Sequence, residues 1–324
     1  MLQVFLRILA IFAVFAAGFV LRRRQTVDDR FIRQFSQVLM SIFYPALILN
    51  TLVLKFSLGE LARLWILPVG AGLVMVIGWL VGGGMNLACR HWPESQLRTS
   101  RFLCTVSNYS FLPLMLVASL WGKRGEALVV FSTLGPELVL WTLGIQAITG
   151  HKLRWSMLRN LVSIPMLAIL LAFVLLALKT QLPALALRLP VVHAVVRELG
   201  GTLLYSCGLA GQATIPVAAT IAGMRMASMS PHHMFSGRMA LLTAMRLLLI
   251  PALSLLLLQW LPLELEVRQL LLVIATMPVA LTSVPMAEIY HGDSDFAAAA
   301  VLMTHIACLA TIPLWLALAG IGAA

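Results

Sequence analysis

Long apolar runs follow one another along the chain, with short polar connections between them. A helix of about 20 apolar residues crosses a hydrocarbon core of about 30 Å. The pattern therefore predicts ten membrane-spanning helices, numbered here as spans 1 to 10, at residues 3–21, 34–53, 65–88, 103–121, 126–148, 160–178, 201–223, 239–260, 269–289 and 297–319. The longest connection, 179–200, contains Pro183, Arg188 and Pro190 and is predicted not to cross the membrane.

The spans divide into two halves of five at the basic connection 151–160, so that the halves are residues 1–150 and 151–324. Two similar halves with an odd number of spans lie in opposite orientations, which predicts an inverted repeat. Spans 2 and 7 support the correspondence, because Pro45 and Pro216 lie at matching depths.

Composition excludes a soluble globular protein, since 61% of the residues are hydrophobic and only 11% are charged. A net charge of +11 would suggest nucleic acid as a partner of a soluble protein, whereas in a membrane protein the position of the basic residues predicts orientation. Arg22, Arg23 and Arg24 follow span 1 directly, which favours a permanent helix over a signal peptide. We expect this connection to be cytoplasmic and both termini to lie outside.

Two spans contain polar residues and prolines where a membrane helix is usually apolar. Proline removes an amide donor and frees a carbonyl, and an unsatisfied polar group in hydrocarbon costs several kcal/mol. Paired interruptions in the two halves predict a substrate site where two broken helices meet. The alternative is a pair of ordinary proline kinks. The candidate binding residues are Asn108, Tyr109, Ser110 and Pro113 in SNYSFLPLML, and Pro278, Thr282, Ser283 and Pro285 in MPVALTSVP.

Glu137, Arg246 and His305 lie well inside spans, where a charge costs about 2.5–3.5 kcal/mol on insertion scales. Glu137 is predicted to carry a proton or bind a cation, or else to form a salt bridge with Arg246. Arg246 either anchors helices or binds an anionic substrate. His305 is either a proton relay or a neutral core residue. His232 and His233 lack further ligands nearby, and neither a metal nor a cofactor is predicted.

Four segments resemble the auxin efflux carrier family, which includes bacterial malate and malonate transporters. In SNYSFLPLML, Asn108, Phe111 and Leu112 match the family's Gly-Asn-x-Gly-Phe-Leu-Gly-Leu-Pro segment. The other matches are ELVLWTLG (137–144), RLLLIPAL (246–253) and the long stretch 277–318. The chain departs from the family where Ser110 and Pro113 replace glycines, Met115 a proline, Glu137 a neutral amide and Thr282 an asparagine.

The resemblance implies an all-α membrane protein with the fold of bile acid/sodium symporters, in which spans 4 and 9 break and cross. It implies a scaffold of spans 1, 2, 6 and 7, a transport domain of spans 3–5 and 8–10, and an elevator mechanism. Small carboxylates are the expected substrates, with coupling to protons or sodium, in a homodimer of the bacterial inner membrane that binds no nucleic acid. The alternatives are a passive anion channel and a membrane-embedded enzyme, although the sequence has no nucleophile motif and no HExxH zinc motif.

Overall fold

The computed structural model describes residues 2–151, 162–188, 190–229 and 234–321. The regular secondary structure of these residues is helical, apart from one isolated antiparallel bridge. The helices of the first half are α1 (Leu2–Arg23), α2 (Asp29–Val38), α3 (Tyr44–Lys55), α4 (Leu58–Arg63), α5 (Ile66–Ala88), α6 (Glu94–Thr105), α7 (Phe111–Ser132), α8 (Leu134–Val139) and α9 (Ile145–Thr149). Those of the second half are α10 (Ile164–Arg188), α11 (Pro190–Gln212), α12 (Thr214–Ser228), α13 (Gly237–Ala244), α14 (Ile250–Trp260), α15 (Leu265–Ala275), α16 (Ser283–Ile289) and α17 (Ser294–Leu318).

Eight helical stretches are long and apolar enough to cross a membrane, which confirms an all-α membrane protein. They are Phe5–Arg23, Asp29–Lys55, Leu58–Ala88, Phe111–Thr149, Ile164–Gln181, Val191–Ser228, Gly237–Trp260 and Ser294–Leu318. The stretch Phe111–Thr149 includes a sharp turn at Gly122, whose φ of 63° suits a residue without a Cβ atom. Predicted span 9 is absent from the eight because it consists of two shorter helices, α15 and α16.

Single π-helical turns join three pairs of helices: Leu39–Phe43 between α2 and α3, Leu140–Gly144 between α8 and α9, and Met245–Leu249 between α13 and α14. The first and third stand directly before Pro45 and Pro251, which occupy the first turns of α3 and α14. A proline has no amide to donate, so the preceding turn widens and the helix continues beyond it.

The connection 179–200, which is predicted not to cross the membrane, is largely helical. The structure continues α10 to Arg188 and starts α11 at Pro190. Pro190 takes the first position of a helix, where a missing amide has no intrahelical partner to lose. The connection 152–161, at which the sequence was divided, and His232 and His233 lie outside the described residues.

Helix packing falls into two groups. α1 packs along α12, and α3 packs against both α10 and α11. The other group is centred on α5, which packs against α6, α8, α14 and α15, while α17 packs against α6, α13 and α16. Glycines permit the closest approaches, since a Cβ atom at Gly223 would lie 1.8 Å from the Phe15 carbonyl oxygen and one at Gly135 1.7 Å from that of Pro68. α7 contacts members of both groups.

Candidate functional site

Predicted span 4 is interrupted at the SNYS segment. α6 ends at Thr105, residues 106–110 are not helical, and α7 begins at Phe111 after Ser110 in the cap position. Pro113 is the third residue of α7, in the first turn, where the amide that it lacks would have no helical acceptor. The predicted interruption is therefore present, immediately before the proline.

Predicted span 9 repeats this arrangement. α15 ends at Ala275, and α16 begins at Ser283 after Thr282 in the cap position. Pro285 is again the third residue of its helix. The two prolines are 172 positions apart, and so are the two helix starts (285 minus 113, and 283 minus 111).

The two interruptions are hydrogen-bonded to each other, and Ser107 and Val279 form the isolated antiparallel bridge. The Asn108 amide donates to the Pro278 carbonyl over 2.8 Å, and the Ala280 amide to the Val106 carbonyl over 3.3 Å. Each segment thus supplies hydrogen-bond partners for backbone groups of the other. Backbone groups inside a membrane protein need such partners, because no water is available there. The segments are not kinked helices that face lipid.

Two further hydrogen bonds connect the interruptions to α17 and to the first turn of α7. The Val279 amide donates to Thr304 Oγ1 of α17 over 3.3 Å. The Asn108 side chain accepts a hydrogen bond from the Leu112 amide over 3.3 Å, which caps the start of α7. Asn108 and Pro278 are both buried.

Arg246 is fully buried and binds backbone carbonyls of both broken spans. Its Nε donates to the Met277 oxygen over 3.0 Å, its Nη1 to the Cys104 oxygen over 3.0 Å, and its Nη2 to the Ala275 oxygen over 3.4 Å. Of the roles that the sequence leaves open, these contacts match the anchoring of helices. A salt bridge between Arg246 and Glu137 is not among the ion pairs of the described residues.

Glu137 instead accepts hydrogen bonds from two neutral donors. Tyr109 Oη donates to its Oε1 over 2.9 Å, and Trp141 Nε1 donates to its Oε2 over 3.1 Å. Ser110, next to Tyr109, donates to Tyr44 Oη of α3 over 3.1 Å. These contacts form a polar network, defined as Tyr44, Tyr109, Ser110, Glu137 and Trp141, that joins α3, the first interruption and span 5.

The hydroxyls of the second interruption differ in exposure. Thr282 is exposed, whereas Ser283 is fully buried. The Oγ atoms of Ser283 and of Ser107 have no hydrogen-bond partner among the described residues.

Of the eight predicted binding residues, the structure joins Asn108 and Pro278 directly, through a backbone hydrogen bond. Tyr109 and Ser110 bond instead to Glu137 and Tyr44. Pro113 and Pro285 lie in the first turns of α7 and α16.

A family model described as membrane transport protein matches residues 3–316, nearly the whole chain. The chain belongs to the auxin efflux carrier family. It is a membrane transporter, and membership in this family favours transport over catalysis. No curated protein matches the chain.

His305 of the transporter lies outside the polar network. Its Nδ1 is 2.8 Å from the Val301 carbonyl of the same helix, and its ring packs 6.5 Å from that of Phe15, between centroids. Full burial with a bond to its own helix matches the neutral core interpretation. Among the described residues, no group of three or more His, Cys, Asp or Glu side chains is arranged to hold a metal ion.

Sequence reasoning missed three residues of the site. Trp141 lies four positions after Glu137, a spacing that places two side chains on one helix face and that could have revealed the contact. Tyr44 stands directly before Pro45 in span 2, which is a weaker signal. Thr304 has no sequence signal, because its partner is a backbone amide 25 positions away.

A cavity of about 410 Å³ opens beside the second interruption of the transporter. Its walls come from α2, α12, α16 and α17, together with Leu281 of the interruption, and they include Pro285. Charged side chains line it, namely Asp29, Arg33, Arg225, Glu288 and Asp295. Arg225 Nη2 donates to Ser36 Oγ of α2 over 3.0 Å.

Proposed function

We propose that this transporter is a secondary active carrier of small organic anions, such as dicarboxylates, and that it works by elevator-type alternating access. The observation that carries the proposal is the pairing of two interrupted spans around buried polar groups. The start of α7 is the positive end of a helix dipole, which suits a carboxylate. Asn108, Tyr109 and Ser110 from one segment, with Thr282 and Ser283 from the other, supply the side-chain contacts.

In this proposal the chain has ten crossings in two inverted repeats, residues 1–150 and 151–324. The shared spacing supports it, because the bridged residues Ser107 and Val279 are also 172 positions apart (279 minus 107). A bridge between equivalent positions is expected where a local two-fold axis passes between two repeats.

Reciprocal tethers at the two ends of the broken spans support the same proposal. Arg124, in the turn after span 4, forms a bidentate ion pair with Glu266 at the start of α15. Asp293, in the turn after span 9, donates its amide to Thr99 of α6 over 2.8 Å. Each broken span is thus tied to the beginning of the other, so the pair is suited to move as one body.

The two packing groups support a scaffold of spans 1, 2, 6 and 7 and a transport domain of spans 3–5 and 8–10. The cavity lies between α2 and α12 of the proposed scaffold and α16 and α17 of the proposed transport domain. It opens near the basic connection after span 1, which corresponds to an inward-facing state if that side is cytoplasmic. Both termini are then periplasmic, and the membrane is the bacterial inner membrane. Homodimerisation is proposed from the family resemblance alone.

Glu137 is the proposed proton carrier. An ionised Glu137 beside Tyr109 repels an approaching carboxylate, because like charges at close range in a low dielectric disfavour each other. Protonation removes this repulsion and adds a donor, so that proton and substrate bind together. His305 has no contact with the polar network, and the proposal gives it a packing role.

The test is uptake into liposomes that contain the purified protein. Labelled malate, malonate and related acids are supplied with and without an inward proton gradient, and protein-free liposomes serve as the control. We expect saturable uptake that the gradient drives to accumulation. Flux that rises linearly with substrate indicates a passive channel, and the absence of flux for every organic acid contradicts the proposal.

A further inference from the structure

Three backbone carbonyls lose their helical partners where spans 4 and 9 break. In an unbroken helix the Cys104 carbonyl would accept from the amide of residue 108, and that of Ala275 from the amide of residue 279. In the structure the Asn108 amide donates to Pro278, and the Val279 amide donates to Thr304. The Met277 carbonyl lies in the interruption itself. The break thus leaves three buried acceptors side by side.

Such carbonyls form a cation site. The C-terminal end of a helix carries partial negative charge, and the unwound carbonyls of broken helices coordinate coupling ions in secondary transporters. Here two C-terminal ends, those of α6 and α15, converge. Oxygen atoms in this arrangement suit a small hard cation such as sodium.

The guanidinium of Arg246 donates hydrogen bonds to all three carbonyl oxygens, over 3.0, 3.0 and 3.4 Å. The side chain is 0% exposed. Arginine keeps its charge at any pH that a protein experiences, so this cation neither leaves nor titrates. Full burial also leaves no open face for an anionic substrate, which separates this role from direct substrate binding.

We propose that Arg246 is a permanent replacement for a coupling sodium ion at the crossing of the broken spans. The inference rests on the proposed carrier function and sharpens it: the transporter binds no sodium at this place, and a proton is its coupling ion. The fixed charge holds the ends of α6 and α15 together in every state of the transport cycle. A bound sodium ion would hold them only while it is present.

The experiment compares the wild-type protein, Arg246→Ala and Arg246→Lys by thermal unfolding in detergent. Each is measured in sodium, potassium and N-methylglucamine chloride at equal ionic strength. We expect the wild type to unfold at one temperature in all three salts. Arg246→Ala uncovers the carbonyls, so it unfolds earlier, and sodium raises its midpoint by several degrees when present at about a hundred times the dissociation constant. Arg246→Lys keeps a charge at the site and stays insensitive to sodium.

Chemical rescue gives an independent measurement, because low millimolar methylguanidinium is expected to restore part of the lost stability in Arg246→Ala and none in the wild type.

A midpoint of Arg246→Ala that is identical in the three salts overturns the inference, as does a wild-type midpoint that depends on sodium. If Arg246→Ala does not fold, the inference is tested by substrate uptake through the wild-type protein with and without sodium. Uptake unchanged when sodium is replaced supports the inference, and sodium-driven uptake overturns it. If the carrier function itself is wrong, liposomes show no flux of any organic acid, while the unfolding midpoints still depend on the salts as expected here.

Discussion

The two interruptions share a bridged position and a proline that follows it, and they differ in chemistry. The first, residues 106–110, is rich in polar side chains, and its Tyr109 and Ser110 bond to Glu137 and Tyr44. The second, residues 276–282, is mostly apolar, and its backbone groups bond to Arg246 and Thr304. Both begin a helix that has proline as its third residue.

This difference indicates a division of roles between two similar segments. In the proposed carrier, side chains of the first interruption bind the substrate and lie beside the proton carrier. The backbone groups of the second interruption are tied to neighbouring helices, so in the same proposal it supports the site, while Thr282 and Ser283 at its end add side-chain contacts. The comparison predicts that substitutions in the first segment change transport, whereas substitutions of the residues that hold the backbone of the second segment change stability.

The largest effect is expected from Glu137→Gln, which removes the titrating group. The amide oxygen can still accept from Trp141, and the amide NH2 can donate to the Tyr109 hydroxyl. A gradient of one pH unit is worth about 1.4 kcal/mol per proton, or about tenfold accumulation. We expect this accumulation to be abolished while exchange of substrate across the membrane continues. Liposome uptake with and without a gradient measures it. Glu288→Gln, in the cavity and outside the polar network, is the control and should accumulate normally. A Glu137→Gln protein that still accumulates substrate would remove the proton carrier from the proposal.

Asn108→Ala comes next and tests whether the first segment reads the substrate. The variant loses the amide group and the cap of α7, and a hydrogen bond to a charged partner is worth about 1.5–3 kcal/mol. We expect apparent affinity to fall at least about tenfold in liposome uptake. Ala280→Ser, at the equivalent position of the second segment, should change affinity by less than about twofold. Equal losses in both variants would contradict the division of roles.

Thr304→Val addresses the support of the second segment. The change leaves the buried Val279 amide without its acceptor, at a cost of about 1–3 kcal/mol. Thermal unfolding in detergent should show a lower midpoint, with substrate affinity unchanged in the folded fraction. Thr311→Val on the same helix is the control, because the Thr311 hydroxyl has no partner among the described residues and its removal should be neutral or stabilising. Matching midpoints for the two variants would count against a supporting bond.

The smallest effect is expected from Arg225→Gln in the cavity. A basic residue that lines the cavity attracts anions from solution, and this attraction is screened by salt. We expect the initial uptake rate at low substrate to fall about two- to threefold at low ionic strength and to recover in high salt. Arg63→Gln, away from the cavity, serves as the control. A reduction that persists in high salt would assign Arg225 a structural role through its bond to Ser36.

The sequence predicted the features that depend on local chemistry. Apolar runs marked the crossings, and Pro113 and Pro285 marked the interruptions, because proline suits the first turn of a helix and disrupts its interior. The helical content of the connection 179–200 was beyond this pattern, since falling hydropathy reports the edge of the membrane and does not report the end of a helix. α10 continues to Arg188.

The partners of the charged residues were harder to predict. Trp141 follows Glu137 by one helical turn and was within reach of the sequence. The partners of Arg246 were not, because they are backbone carbonyls of residues 104, 275 and 277, and a carbonyl has the same chemistry in every residue type. Only the folded structure shows which three carbonyls have no backbone amide as a hydrogen-bond donor.

Arg246 also sets an order of events during synthesis. A charged residue at this depth is costly to insert before its partners are in place. When Arg246 is joined to the growing chain, the Cys104 carbonyl has already been made, whereas those of Ala275 and Met277 are still 29 and 31 residues from synthesis. We therefore expect the carbonyl from the first half of the chain to be the first partner in place for the arginine.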